Sequence, residues 1–365
     1  MKILMLSGAD SIHTIRWTNA FISLGHEVHL VTMPDHPIRK DKAIDEVNIH
    51  YLKYPSPWGY YLNAFELNRL CKKLNPDIIN VHYASGYGTL ARMSRIHPYV
   101  LSVWGSDVYD FPFQGKFNLH TLKRNLVNAD AIASTSKSMA EHTKRLLGNQ
   151  SVDIAITPFG VDTNAFSPCI NPAAKEDNVF LFGTIKKLTY KYGIDYIIKG
   201  FDIFLKRWKD NGSQGKVPKL YICGKGDKKS EFENLVHILH LQDYITIEGY
   251  IAHDLVAAKF RSFDVSIFGS QNESFGVSAV ESMSCGTPVI VTDVSGFKEV
   301  VVDNETGFIV PRCSAEAIAD KMEYFYYNEN MIKTMGEKGR ERVLKRYDWN
   351  KNILQLESVL ANNKK

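Results

Sequence analysis

Residues 2–32 read KILMLSGADSIHTIRWTNAFISLGHEVHLVT, and the chain organisation is clearest in this stretch. Its two ends, KILMLSG and HEVHLVT, are short apolar runs typical of buried strands. Between them, residues 14–24 carry apolar side chains at helical spacing, and Gly25 supplies a break before the second strand. The order strand, helix, strand predicts a βαβ unit and therefore a parallel sheet.

The same alternation continues along the chain and is interrupted once. Strand candidates in the first half are VNIHYLKY, DIINVHY, YVLSVWG and AIAST. The stretch TPFGVDTNAFSPCINPAAKEDN is rich in Pro, Asn and Gly, which indicates a linker, and the expected link spans residues 163–177. After it the alternation restarts with NVFLFGTI, KLYICGKG, ITIEGYI, DVSIFGS and TPVIVTD. We therefore predict an α/β protein with two Rossmann-like domains, each built on a parallel sheet, and ligands in the crevice beyond the carboxyl ends of their strands.

Composition supports two folded domains and excludes several other classes. The chain has 365 residues, of which 44% are hydrophobic and 23% charged, so disordered and collagen-like proteins are excluded. The net charge of +4 is too small for a nucleic-acid-binding surface, so no nucleic acid partner is expected. Five widely spaced cysteines and the lack of any apolar run near 18 residues predict a cytoplasmic protein without a membrane span.

The segment QNESFGVSAVESMSCGTPVI, residues 271–290, carries the most chemical information. Glu273 and Glu281 are eight residues apart, and Ser274, Phe275, Gly276 and Val277 stand at the expected start of a helix, whose free N–H groups suit a diphosphate. Glu273 could accept hydrogen bonds from sugar hydroxyls and Glu281 from the paired hydroxyls of a ribose. A capped surface helix with two solvated glutamates would give the same spacing.

The whole chain resembles family 4 glycosyltransferases, which are retaining enzymes with the two-domain GT-B architecture. The E-x7-E motif of that family falls on Glu273 and Glu281, and CGTPVIVTDVSGFKEVVVDNETGFIVP is similar to its carboxyl-terminal signature. SIHTIRWTNAFISLGHEVHLVT resembles the amino-terminal stretch of bacterial members in surface-polysaccharide synthesis, and TPFGVDTNAFSP resembles the hinge motif. The resemblance implies an acceptor-side domain over 1–165 and a donor-binding domain over 166–346. It also implies a terminal helix over 347–365 that returns to the first domain.

The resemblance also assigns the groups that bind the donor diphosphate. The stretch FLFGTIKKLTYKYGIDYII places Lys186 in the family's arginine position and Lys191 in its lysine position, with Tyr192 inserted before Gly193. Lys187 competes for the same role, and a lysine-rich surface loop is the alternative. Such cations would stabilise the leaving diphosphate without a metal, and no Asp-x-Asp pair is present to bind one.

In the first domain, Gly8 after strand one would let a diphosphate approach closely. His82 matches the family's active-site histidine and is the expected main catalytic histidine, with His13 as a second candidate for contact with the acceptor. Relatives often have His-Gly where this chain has Trp104 and Gly105. A tryptophan can stack on a sugar but cannot transfer a proton.

The sequence thus predicts a retaining, metal-independent hexosyltransferase that uses a nucleotide diphosphate sugar, with a UDP-sugar favoured, and no other cofactor. The expected acceptor is a lipid-linked or growing polysaccharide glycan. Aromatic loops at residues 54–61 and 109–117 suit sugar stacking or contact with the cytoplasmic face of a membrane. A nucleotide-sugar epimerase and a non-catalytic nucleotide-sugar-binding subunit are the alternative functions.

Overall fold

A computed structural model describes residues 1–38, 47–168 and 177–365. The chain forms two compact units: unit 1 contains Met1–Pro158 together with Asn350–Lys365, and unit 2 contains Phe159–Trp349. Within the described ranges, none of the helices combines the length and the apolar composition that crossing a membrane requires. Each unit is built on its own parallel sheet.

Unit 1 has a seven-stranded parallel sheet in the order β3-β2-β1-β4-β5-β6-β7. Its strands are β1 (Lys2–Leu6), β2 (Glu27–Thr32), β3 (Asn48–Tyr51), β4 (Ile78–His82), β5 (Tyr99–Val103), β6 (Ala131–Ser134) and β7 (Ile154–Ile156). Its helices within the body of the chain are α1 (Ile12–Ser23), α2 (Gly59–Leu62), α3 (Ala64–Leu74), α4 (Gly86–Ser94), α5 (Ser106–Tyr109), α6 (Lys116–Asn128) and α7 (Lys137–Leu147). The order reverses between β1 and β4, so the loops after these two strands flank the crevice where open α/β sheets bind ligands.

Unit 2 has a six-stranded parallel sheet in the order β10-β9-β8-β11-β12-β13. Its strands are β8 (Val179–Ile185), β9 (Val217–Cys223), β10 (Ile245–Glu248), β11 (Val265–Phe268), β12 (Val289–Thr292) and β13 (Gly307–Val310). Its helices are α8 (Ile194–Asp210), α9 (Lys229–Ile238), α10 (His253–Ser262), α11 (Val277–Ser284), α12 (Ser295–Val300), α13 (Ala315–Tyr327) and α14 (Glu329–Arg346). Here the order reverses between β8 and β11, so the loops after these strands are the corresponding ligand-binding position.

The buried strands explain why both sheets are covered on two faces. All five residues of β4 and of β5 are buried, as are all four of β11 and of β12. Strands that are buried along their whole length need helices on both faces of the sheet, which the βα connections provide. The predicted fold class is therefore confirmed.

The last helix, α15 (Trp349–Asn362), belongs to unit 1. Ile353, Leu356 and Leu360 are buried along one face, and His26 Nε2 lies 2.8 Å from Glu357 Oε1. The backbone N–H of Lys365 donates to the carbonyl of Asp77. The chain returns to unit 1 at this helix.

The unit boundaries differ by a few residues from the expected domain limits at 165/166 and 346/347. The main chain of Val161 exchanges hydrogen bonds with the Tyr347 carbonyl and the Trp349 N–H. The guanidinium of Arg340 donates to the carbonyls of Thr163 and Phe166. These bonds hold residues 161–166 within unit 2. Of the expected link at 163–177, residues 169–176 lie outside the described residues.

Candidate functional site

The loops after β8 and β11 touch each other at the switch point of the unit 2 sheet. Gly193 has a φ of 62°, and a Cβ atom on it would lie 1.9 Å from the carbonyl oxygen of Gly269. The backbone N–H of Gln271 donates to the Lys191 carbonyl, at 2.8 Å. Only a glycine fits at position 193, because any side chain would separate the two loops.

Lys186 and Glu273, one from each loop, form an ion pair. The Nζ of Lys186 donates to the Oε2 of Glu273 at 2.6 Å, and the two side chains are only 12% and 14% exposed. The same Nζ lies 4.9 Å from the centre of the Tyr192 ring, which is a cation–π distance. An ammonium has three N–H donors, so one contact with Glu273 leaves donors for a further anion.

The start of α11 is shaped by a left-handed glycine. Gly276 has a φ of 97°, and a Cβ there would lie 2.7 Å from the Phe297 ring. The N-cap residue is a glycine and has no side chain to accept from the first-turn N–H groups of α11, so these groups are suited to an anion. The loop before the helix is held by α12, because the backbone N–H of Gly296 on α12 donates to the carbonyl of Glu273 at 3.1 Å.

The predicted donor-binding residues 274–277 lead into α11, and Phe275 among them is buried. The Phe275 side chain is 2% exposed, and its ring packs edge-on against Tyr347 with centres 5.5 Å apart. Its ring therefore belongs to the interior of unit 2, while the helix begins at Val277.

Glu281 lies on α11 and is 8% exposed. Its Oε1 is 3.6 Å from the Nε2 of His253, the first residue of α10. Both carboxylates of the E-x7-E motif thus lie in unit 2, Glu273 on the loop after β11 and Glu281 on the helix that follows it.

The two lysines in the loop after β8 differ in setting from Lys186. Lys187 and Lys191 are exposed. Lys191 lies on the single turn Tyr190–Tyr192, where its carbonyl binds the loop after β11. The structure therefore brings Lys186 to Glu273 and places Lys191 in the connected loop.

His82 lies in unit 1 at the end of β4, where the sequence predicted it, but its ring is fully buried. Its Nδ1 is 3.1 Å from Ser7 Oγ and its Nε2 is 2.7 Å from Asn80 Oδ1. Burial lowers the pKa of His82 to about 3, with a smaller contribution from His13. Both ring nitrogens therefore have buried polar partners within unit 1. The ring is neutral and does not reach the surface of the unit.

Trp104 covers His82. The two ring centres are 4.0 Å apart, and Trp104 is itself only 7% exposed. Tyr83 and His13 contact Trp104 edge-on at 5.2 and 5.7 Å. Burial also lowers the pKa of His13, to about 4, and Arg16 adds to the effect. His13 is partly exposed, which makes it the more accessible of the two predicted histidines.

Gly8 lies next to this cluster in the loop after β1 and is buried. A Cβ on Gly8 would lie 2.8 Å from the carboxylate oxygen of Asp10 and 3.6 Å from His36. Ser7, the residue before it, joins Thr14 Oγ1 at 2.7 Å and His82. The glycine therefore keeps the loop close-packed.

Asp107, in the stretch SVWGSDV, is buried and holds two loops together. Its carboxylate accepts the N–H groups of Ala84, Trp104 and Gly105. Burial raises its pKa above the usual value, and those N–H groups offset only part of the effect. Among the residues that the structure describes, no three His, Cys, Asp or Glu side chains are arranged to hold a metal ion.

Sequence reasoning missed two residues of the unit 2 site. Tyr192 appeared only as an insertion in the motif, although its ring lies against Lys186. His253 gave no motif signal, because it comes from α10, whose closeness to Glu281 depends on the fold.

Comparison with family models covers most of the chain in two parts. Residues 169–342 match the model described as Glycosyl transferases group 1, and residues 2–136 match the model described as Glycosyl transferase 4-like. The two matches correspond to unit 2 and to unit 1.

Alignments with individual relatives cover three quarters or more of both chains. The chain is 25% identical to N-acetyl-alpha-D-glucosaminyl L-malate synthase of Bacillus anthracis, over 92% of this chain and 89% of the relative. It is 24% identical to a putative teichuronic acid biosynthesis glycosyltransferase of Bacillus subtilis, over 84% and 75% of the two chains. The fold matches that of Anabaena HepE, solved in complex with UDP and glucose, with a TM-score of 0.77 and 16% identity over 99% of this chain and 100% of HepE.

Proposed function

Because the chain belongs to the family 4 glycosyltransferases, with the GT-B fold, we propose that it transfers a sugar from a nucleotide diphosphate sugar to an acceptor hydroxyl with retention of anomeric configuration. The observation that carries this proposal is the Lys186–Glu273 pair at the switch point of unit 2, with the uncapped start of α11 and Glu281 beside it. These groups match the parts of such a donor: diphosphate, sugar and ribose.

The residues of unit 2 would act mainly through position and charge. As the bond between the anomeric carbon and the diphosphate breaks, negative charge develops on the leaving diphosphate. Lys186, Lys191 and the first N–H groups of α11 would stabilise that charge. The acceptor oxygen forms its bond on the same face of the sugar, and the acceptor proton passes to the leaving diphosphate. Glu273 would orient the sugar hydroxyls, and Glu281 would bind the ribose.

A uridine diphosphate sugar is the proposed donor. Support comes from the structural likeness to HepE, which was solved with UDP and glucose. We propose that the reaction needs no metal, because Lys186 and Lys191 would supply the positive charge that a divalent cation otherwise provides.

The proposed acceptor is a lipid-linked or growing polysaccharide glycan at the cytoplasmic face of a membrane. Support comes from the Bacillus subtilis relative named for teichuronic acid biosynthesis and from exposed aromatic side chains in unit 1. The two aromatic segments expected as loops contain short helices: Trp58, just before α2, is 72% exposed, Tyr61 within α2 is 39% exposed, and Phe113 in the 3₁₀ turn Phe111–Gln114 is 67% exposed.

Product analysis with labelled sugar nucleotides tests the proposal. A set of UDP-, GDP- and ADP-sugars is incubated with lipid-linked glycan acceptors, and the anomeric configuration of the product is read by NMR. We expect transfer from a UDP-sugar with the donor's configuration kept, and undiminished activity in excess chelator. An inverted product would exclude retention, and activity restored only by manganese would exclude the cation clamp. Epimerised donor without transfer would instead support the epimerase alternative.

A further inference from the structure

A basic groove runs between α4 and α6 on the surface of unit 1. It encloses a cavity of about 640 Å³. Five side chains that can carry positive charge line it: Arg92, Arg95, His120, Lys123 and Arg124. We call this feature the α4–α6 groove.

The cationic side chains of the α4–α6 groove have no carboxylate at ion-pair distance among the described residues. Within the described ranges, no ion pair involves Arg92, Arg95, Lys123 or Arg124. Arg92 instead donates from Nε to the Asn125 side-chain oxygen at 2.8 Å. The sequence of residues 111–129 contains no Asp or Glu. Clustered like charges without counter-ions raise the energy of the free protein, so an anionic ligand would relieve it.

Bulky apolar side chains lie exposed beside these charges. On the outer face of α6, Phe117 is 69% exposed and Val127 76% exposed, with His120 and Arg124 between them at helical spacing. Phe113, just before the helix, is 67% exposed. The opposite face of α6 is buried in unit 1. A helix whose outer face mixes basic and large apolar residues is typical of a surface that lies in a lipid–water interface.

The α4–α6 groove is separate from the carboxyl-end loops of the unit 1 sheet. α4 leaves the carboxyl end of β4, and Arg92 and Arg95 lie in its last turn and at its C-cap. His120 lies near the middle of α6, and the other groove residues of this helix lie in its second half, before the chain enters the amino end of β6. Occupation of the groove would therefore leave the loops that carry Gly8 and Trp104 free.

We propose that the α4–α6 groove docks unit 1 on a membrane rich in anionic lipid, with the lipid phosphates bound by its arginines and lysines and with Phe117 and Val127 inserted among the acyl chains. Charge complementarity favours this occupant, because five of the eight side chains that line the groove can carry positive charge. The exposed aliphatic side chain of Val127 distinguishes it from a nucleic-acid surface, where aromatic rings stack on bases. The proposal deepens the membrane-linked acceptor proposed above, but it is tested by binding alone.

Vesicle co-sedimentation of the full chain tests the proposal. Vesicles of phosphatidylcholine alone are compared with vesicles that contain phosphatidylglycerol, at low and high salt. We expect binding only to the anionic vesicles, weakened by salt. The double variant Lys123→Glu/Arg124→Glu should bind at least about tenfold more weakly, since each basic side chain near an anionic surface contributes about fivefold to tenfold. Phe117→Ser/Val127→Ser should weaken binding while retaining the salt dependence.

The matched control is Lys333→Glu/Lys338→Glu, which makes the same change in net charge on the exposed face of α14. It should bind anionic vesicles like the unmodified protein. Equal binding to neutral vesicles, or equal loss in the control, would overturn the proposal. So would displacement by inorganic diphosphate together with no effect of Phe117→Ser/Val127→Ser, which would indicate a site for soluble phosphate. Sugar transfer to a soluble acceptor reports on the proposed function separately, because the groove variants leave the unit 2 site intact.

Discussion

Glu281 is the residue whose setting gives the sharpest test of donor binding. Its carboxylate is almost fully buried on α11, and His253 lies 3.6 Å away. In the proposed complex it accepts the ribose hydroxyls in both the ground state and the transition state. Glu281→Ala should therefore weaken donor binding about tenfold or more, the cost of a hydrogen bond to a charged group, with a smaller effect on turnover. Isothermal titration with UDP measures the dissociation constant.

The control for this prediction is Glu337→Ala, which removes a largely exposed carboxylate from α14. It should bind UDP like the unmodified protein. An unchanged dissociation constant in Glu281→Ala would contradict the ribose role.

His82 gives a prediction about pH and stability. Its pKa is lowered to about 3 in the folded protein by burial, whereas an unfolded histidine titrates near 6.5. Between those values the unfolded chain binds more protons, so the free energy of unfolding rises with pH and stability is lost as the pH falls below about 6.5. The slope from one such histidine is about 1.4 kcal/mol per pH unit. Urea unfolding at pH 7 and pH 5, followed by tryptophan fluorescence, measures the free energy of unfolding at each pH.

His82→Asn should reduce that pH dependence, and His120→Asn, which alters an exposed histidine, should retain it. The same variants separate structure from catalysis. If His82 acts only in the buried chain with Ser7 and Asn80, His82→Asn lowers stability and leaves the turnover of the remaining folded enzyme near normal. A pH slope unchanged in His82→Asn would contradict the burial argument.

At the scale of an element, the loop after β8 carries three lysines in two different settings. Lys186 is paired with Glu273, whereas Lys187 and Lys191 are exposed. If Lys191 binds the donor diphosphate, Lys191→Ala should raise the barrier to transfer by about 2 to 4 kcal/mol, as loss of other preorganised electrostatic groups does. The neighbouring Lys187→Ala serves as the control, and its kcat/KM should stay close to normal. The reverse pattern would assign the role to Lys187.

Individual strands and loops show which parts of the structure the sequence could predict. Strands such as β4 and β12 are short apolar runs after turn residues, so local pattern was enough to place them and to predict two parallel sheets. Glu273 and Lys186 carry a motif and follow strands, so their presence at one sheet edge could be predicted as well. The burial of His82 could not, because it depends on the Trp104 ring reaching it from the neighbouring strand β5. The contact of Tyr192 with Lys186 likewise requires the fold of the loop.

At the scale of the whole molecule, the chain does not divide into units at one point. Residues 350–365 belong to unit 1 although they follow all of unit 2. Apolar spacing predicted a helix here, and the resemblance implied its return. The boundary near residue 160 depends on hydrogen bonds between segments almost two hundred residues apart, which local pattern does not encode.

The stability of unit 1 should therefore depend on the last helix of the chain. Leu360 of α15 is fully buried, whereas Leu354 on the same helix is 51% exposed. Leu360→Ala should lower the free energy of unfolding of unit 1 by about 2 to 5 kcal/mol, because it removes buried methyl groups and leaves a cavity. Leu354→Ala makes the same chemical change at an exposed position and should cost little. Hydrogen–deuterium exchange resolves the units: amides of β1 and β4 should exchange faster in Leu360→Ala, and those of β8 and β11 should not. Equal acceleration in both units, or none in unit 1, would show that α15 does not stabilise unit 1 through this side chain.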